Sequence, residues 1–192
     1  MKQQEWSKTT STIFYGVVIF SFAGIIEAIL KPIAKVAGLS SMSVIIEYVM
    51  PIAVIVGYVM YFVGLGSFKK LLEGGDGSAI GKVRTGLILS LIATITGWIP
   101  VIGWIAGGIL NIIGFIITMT GFSRLKKSSS FPDNACKGAS KLFSAQILLI
   151  IGWIIGLIPL VGGWIEMIFS FIAFVMVLVG WAKIKNTQIT AA

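Results

Sequence analysis

The chain reads as an all-α protein: a polytopic membrane bundle of six transmembrane helices, laid out as three tandem helical hairpins in a single integral membrane domain over residues 1–192. Three observations predict this. Hydrophobic residues make up 57% of the chain and charged residues 11%, against roughly half and a quarter in an ordinary soluble domain. So few charges cannot build a water-facing surface, and the bilayer is the solvent that fits. Second, no residue from Gly86 to Phe122 is charged, yet "GWIPVIGWI" at 97–105 sets a proline and two glycines in the middle of that run. Third, sliding the chain by 59 residues lays 79–127 over 138–186 without a gap, with 14 identities in 49 pairs.

The elements follow in order. The first segment, about 12–37, is apolar until Lys31 and has no small-x-small site leading into a soluble domain, so it reads as a span and not as a cleaved signal. The second, 44–66, carries Pro51, which a membrane helix tolerates with local readjustment. These make the first hairpin, about 12–66. A polar link, "SFKKLLEGGDGSAIGKVR", leads to segments at 78–99 and 103–124, the second hairpin. The link "LKKSSSFPDNACKGASK" leads to 138–158 and 163–183, the third hairpin, about 138–185. Each segment has about 20 residues, enough to cross roughly 30 Å of hydrocarbon at 1.5 Å per residue.

The repeat is most informative at the turns. Gly97, Pro100 and Gly103 fall on Gly156, Pro159 and Gly162, while Lys82, Gly121 and Lys126 fall on Lys141, Gly180 and Lys185. A reversal within about five residues needs a residue that cannot continue a helix and residues that accept unusual backbone angles. Trp98, Trp104, Trp153 and Trp164 flank these turns, as an interfacial aromatic belt would. A fainter copy at an offset of 57 sets Gly57, Gly64, Lys69 and Lys70 under Gly114, Gly121, Lys126 and Lys127, with "GLSSMS" in place of the proline turn.

Charge gives orientation. The formal net charge is +8, and in the six-span layout 13 of the 15 basic residues share the side of the two termini, with only Lys31 and Lys35 opposite. The positive-inside rule makes that side cytoplasmic, in a cell membrane. Basic stripes interleaved with exposed aromatics are missing, which argues against nucleic acid as a partner.

Equipment for catalysis is sparse. The chain has no histidine and one cysteine, Cys136, which removes HExxH, Ser-His-Asp and Cys-His arrangements and a structural zinc site, so no catalytic, metal or cofactor residues are expected. "GGDGSAIGK" lacks the GxxxxGK[ST] pattern of a phosphate loop. Polar residues within spans are costly and carry the candidate intramembrane site: Glu27, Glu47, Glu166, Asn111 and Gln146. Glu27 stands four residues before Lys31, a helical pairing distance, and Glu47 and Glu166 fall in first turns, where the helix dipole favours a negative charge. The small-residue ladders Gly86–Ser90–Thr94, Gly103–Gly107 and Gly152–Gly156 allow close helix approach. The function expected is a non-enzymatic assembly or accessory protein in the lipid bilayer, its small-residue faces binding a second copy or another membrane protein. The alternative is a small channel or transporter for an ion or small solute.

Overall fold

A chain this apolar has one economical way to satisfy its backbone, since helices pair every internal N–H and C=O within the segment itself. The computed structural model describes residues 3–38, 40–97, 99 and 102–189, and among them all regular structure is α-helical. The helices are α1 (Gln3–Val36), α2 (Ser40–Leu71), α3 (Gly74–Thr96), α4 (Ile102–Leu125), α5 (Asp133–Gly156) and α6 (Gly162–Lys185). Each contains a window long and apolar enough to cross a membrane, and at most 28% of any such window is buried.

The helices outrun the apolar segments at their charged ends. α1 begins at Gln3 instead of near Thr12, and α2 and α3 are separated only by Leu72 and Glu73, so most of the stretch expected as a polar link is helical. Charge ends an apolar window without ending a helix. Lys69 and Lys70 sit in the last turn of α2, where the negative end of the helix dipole favours them.

Consecutive helices pack as antiparallel pairs, α1 with α2, α3 with α4 and α5 with α6, and the pairs join through α2–α3, α4–α5 and α1–α6 into a closed ring. Glycines set the closeness within each pair. A Cβ on Gly16 would stand 2.8 Å from the Gly57 carbonyl oxygen, one on Gly114 would stand 2.7 Å from that of Gly86, and one on Gly138 would stand 2.6 Å from that of Gly180. Backbone therefore lies against backbone. The ladder glycines Gly86, Gly103, Gly107, Gly152 and Gly156 all spend their small size inside these pairs. This is the close helix approach that the small-residue ladders allow.

The ring has two unlike halves. At the end where the termini and the links between pairs converge, here the head, aromatic side chains fill the interior. Trp6 packs on Phe68 with ring centroids 4.9 Å apart and on Phe131 at 5.8 Å; Trp181 meets Tyr61 at 5.8 Å and Phe122 at 6.3 Å. Leu65, Leu125 and Ile184 are fully buried among them. The head also closes the chain on itself. The Trp6 indole N–H donates to the Ile184 carbonyl (3.0 Å), the Gln3 amide to the Thr187 carbonyl (3.2 Å), and the Ile189 N–H to Gln3 Oε1 (2.6 Å). Beyond the head, exposed large apolar side chains begin at Tyr15, Val63, Ile88, Ile116, Ile147 and Val179, one on each helix, and continue away from it.

The far-end turns use glycine differently from the expectation. Gly97 has φ −59°, and the only described glycines at positive φ are Gly38 and Gly74. The left-handed residue of the α5–α6 turn is Leu160, at φ 70°. Gly103 and Gly162 are needed instead for close approach, since side chains there would run into the carbonyl oxygens of Thr96 and Ile155. Pro159 lies exposed in its turn, whose backbone is held by Ile158 N–H to Ile155 O (2.9 Å) and Gly162 N–H to Ile158 O (3.0 Å). Trp98 and Pro100 lie outside the described residues, as does the Trp104 side chain.

Candidate functional site

The five polar residues singled out by sequence occupy separate places. Glu27 pairs with Lys31 across one turn of α1 at 3.7 Å, its side chain 28% exposed, which is the pairing the spacing predicts. Glu47 is exposed on α2. Asn111 on α4 accepts a hydrogen bond from the Ser90 hydroxyl on α3 at 3.2 Å, tying the two helices together. Gln146 is half-buried on α5. Glu166 is half-buried on α6 and its carboxylate stands against Gly156, in space that any side chain at that position would take. Among the described residues no hydrogen bond or ion pair links any two of these five, and no group of three or more His, Cys, Asp or Glu side chains could hold a metal ion.

The sequence reading passed over the polar construction of the head. Asp76 lies buried at the start of α3 and accepts a hydrogen bond from the Ser130 hydroxyl at 2.8 Å, fastening the α2–α3 junction to the α4–α5 link. The Cys136 thiol points at the carbonyls of Phe131 (3.3 Å), Leu125 and Ser128 (both 3.4 Å). It is a structural thiol that closes the α4–α5 link. A usable signal was present: Asp76 and Asp133 each sit in the first turn of a helix, a standard start signal, inside stretches otherwise written off as links.

Cations mark the border between head and apolar half. The Arg84 guanidinium lies 4.2 Å over the Phe62 ring and Lys126 3.4 Å over Phe143, while Lys185 lies within 5 Å of both Phe14 and Tyr15. Long basic side chains lay their stems on apolar surface and hold their charge at its edge. Trp153 and Trp164 are exposed near the opposite end. No family model matches the chain, and no curated protein or solved structure is similar to it.

Proposed function

We propose that the chain is a small multi-pass integral membrane protein of the cell membrane, a non-enzymatic assembly or accessory protein that binds a second copy of itself or another membrane protein. The observation that carries the membrane reading is the surface beyond the head, where all six helices turn large apolar side chains outward. In water that surface would far exceed the few hundred Å² of apolar patch a soluble monomer exposes. In lipid it costs nothing.

The architecture we infer is three copies of one hairpin related by rotation about the membrane normal. Supporting this, small residues meet at corresponding heights in the pairs, Gly16 with Gly57 and Gly86 with Gly114. The turn contacts Gly103 to Thr96 and Gly162 to Ile155 are also 59 residues apart. We place the head in the cytoplasm because its helix ends and links carry Lys69, Lys70, Arg124, Lys126, Lys127 and Lys137, whereas Lys31 stands on the far side.

Assembly is favoured over transport by the ring interior. Tyr61 of α2, Phe122 of α4 and Trp181 of α6 touch across it and occupy the route a solute would take. Transport is the second reading, favoured by the Glu166 carboxylate held in the gap at Gly156. The test is purification in mild detergent with mass determination, alongside flux assays in liposomes. A defined oligomer or a stoichiometric partner, with liposomes that stay tight, is the expected result. Flux abolished by Glu166→Gln would overturn assembly in favour of transport.

A further inference from the structure

A groove of about 480 Å³ lies between α1 and α2 on the outside of the head, at the edge of the apolar half, beside Gly64, whose missing side chain lets Ile13 pack close. Its polar lining includes Lys8, Lys70, Ser67 and Thr12, with Glu5 at the end toward the chain terminus and Val63 at the end toward the apolar surface. Both lysines are exposed, and no ion pair among the described residues engages either. The Thr12 hydroxyl already donates to the Lys8 carbonyl at 3.0 Å, which leaves two ammonium groups and the Ser67 hydroxyl lining one concavity, a set of donors that suits a phosphate diester.

The groove also continues into an apolar track. Val63, Val59, Val56, Ile52 and Val49 recur every three or four residues along α2, and all are exposed. They form one stripe running out of the groove for about 21 Å at 1.5 Å per residue, the reach of an extended long acyl chain. A free phosphate has no use for such a stripe. We propose that this groove binds an anionic phospholipid whose headgroup carries hydroxyls: its phosphate on Lys8 and Lys70, its headgroup hydroxyls donating to Glu5, and one acyl chain along the α2 stripe. The inference rests on the membrane reading above.

The full-length chain in neutral detergent, titrated with dioleoyl phosphatidylglycerol or dioleoyl phosphatidylcholine and followed by native mass spectrometry, tests the proposal. Phosphatidylglycerol should be retained in preference, and excess inorganic phosphate should not displace it. Each lysine near an anionic lipid surface is worth about fivefold, so Lys8→Gln/Lys70→Gln should weaken retention about 25-fold. Lys8→Arg/Lys70→Arg should restore it, and Lys31→Gln/Lys35→Gln, at the far end, should leave it unchanged. Val59→Asn, which interrupts the stripe and keeps both lysines, should also weaken lipid retention. Equal retention of the two lipids, displacement by inorganic phosphate, or a Lys8→Gln/Lys70→Gln protein that holds phosphatidylglycerol like the parent would overturn it. Flotation with phosphatidylcholine liposomes separates the two levels of inference. A chain left in the aqueous fraction defeats the membrane reading itself, and one that floats without headgroup preference defeats the groove alone.

Discussion

Replacing Trp6 with alanine should loosen the whole ring from one position. Trp6 is fully buried and ties α1 to three separate parts of the head: Phe68 of α2, Phe131 in the α4–α5 link, and the Ile184 carbonyl of α6 through its indole N–H. Ile184 O is among the last four carbonyls of α6, which have no partner within the helix. Truncating a buried tryptophan to alanine costs about 3–5 kcal/mol through lost contact and the cavity left behind. For a chain of this size 1 kcal/mol corresponds to roughly 2–4 °C, so thermal unfolding in micelles should fall by about 10 °C. Trp6→Phe keeps most of the packing and loses the hydrogen bond, a cost of about 0.5–1.5 kcal/mol, since the Thr187 N–H still reaches the Ile184 carbonyl at 3.3 Å. Trp153→Ala, at an exposed position outside the head, is the comparison and should shift unfolding little. If Trp6→Ala and Trp153→Ala lower the midpoint equally, the head is not the joint that holds the pairs together and this account of the fold is wrong.

Gly86→Ala should destabilise by about 1–3 kcal/mol, because the added methyl meets the Gly114 carbonyl and Thr118. Gly24→Ala, with nothing within 4 Å, should be neutral or gain up to about 1 kcal/mol of helix propensity; unfolding curves that rank these two the other way would contradict the helix register. Leu160→Gly should raise the midpoint slightly, since a left-handed residue with a side chain carries roughly 1–2 kcal/mol of strain, offset in part by the freedom glycine adds to the unfolded chain. Topology can be read with Cys136→Ser as background, because the native thiol is occupied by three carbonyls. A cysteine at Lys127 should react with a membrane-impermeant maleimide only after permeabilisation and one at Ala37 in intact cells; the reverse pattern would invert the proposed orientation.

The polar residues show how far sequence reasoning reached. Glu27 with Lys31 was legible because both partners lie on one helix, where spacing fixes distance. The Asn111 bond to Ser90 was legible in kind, as an interhelical contact, but its partner was not, since that depends on the register of α3 against α4. The turn glycines were found for the wrong reason. Their position came from the repeat, while their purpose, letting α4 and α6 start against the carbonyls of Thr96 and Ile155, appears only when the two helices are side by side.

By itself the amino-acid order determined the helical class, the number of apolar segments and the places where the chain turns back. These are local quantities: hydrophobicity summed over a window, and residues that cannot continue a helix. Only the tertiary structure decided that the charged ends stay helical, that Trp6, Phe68, Phe131 and Trp181 build one buried head from distant parts of the chain, and that the ladder glycines are consumed inside the pairs. The physical reason is that a composition window records whether a side chain prefers to leave water, whereas lipid and a neighbouring helix satisfy that preference equally. Which of the two a given residue meets depends on packing and backbone approach, and those exist only once the helices are together.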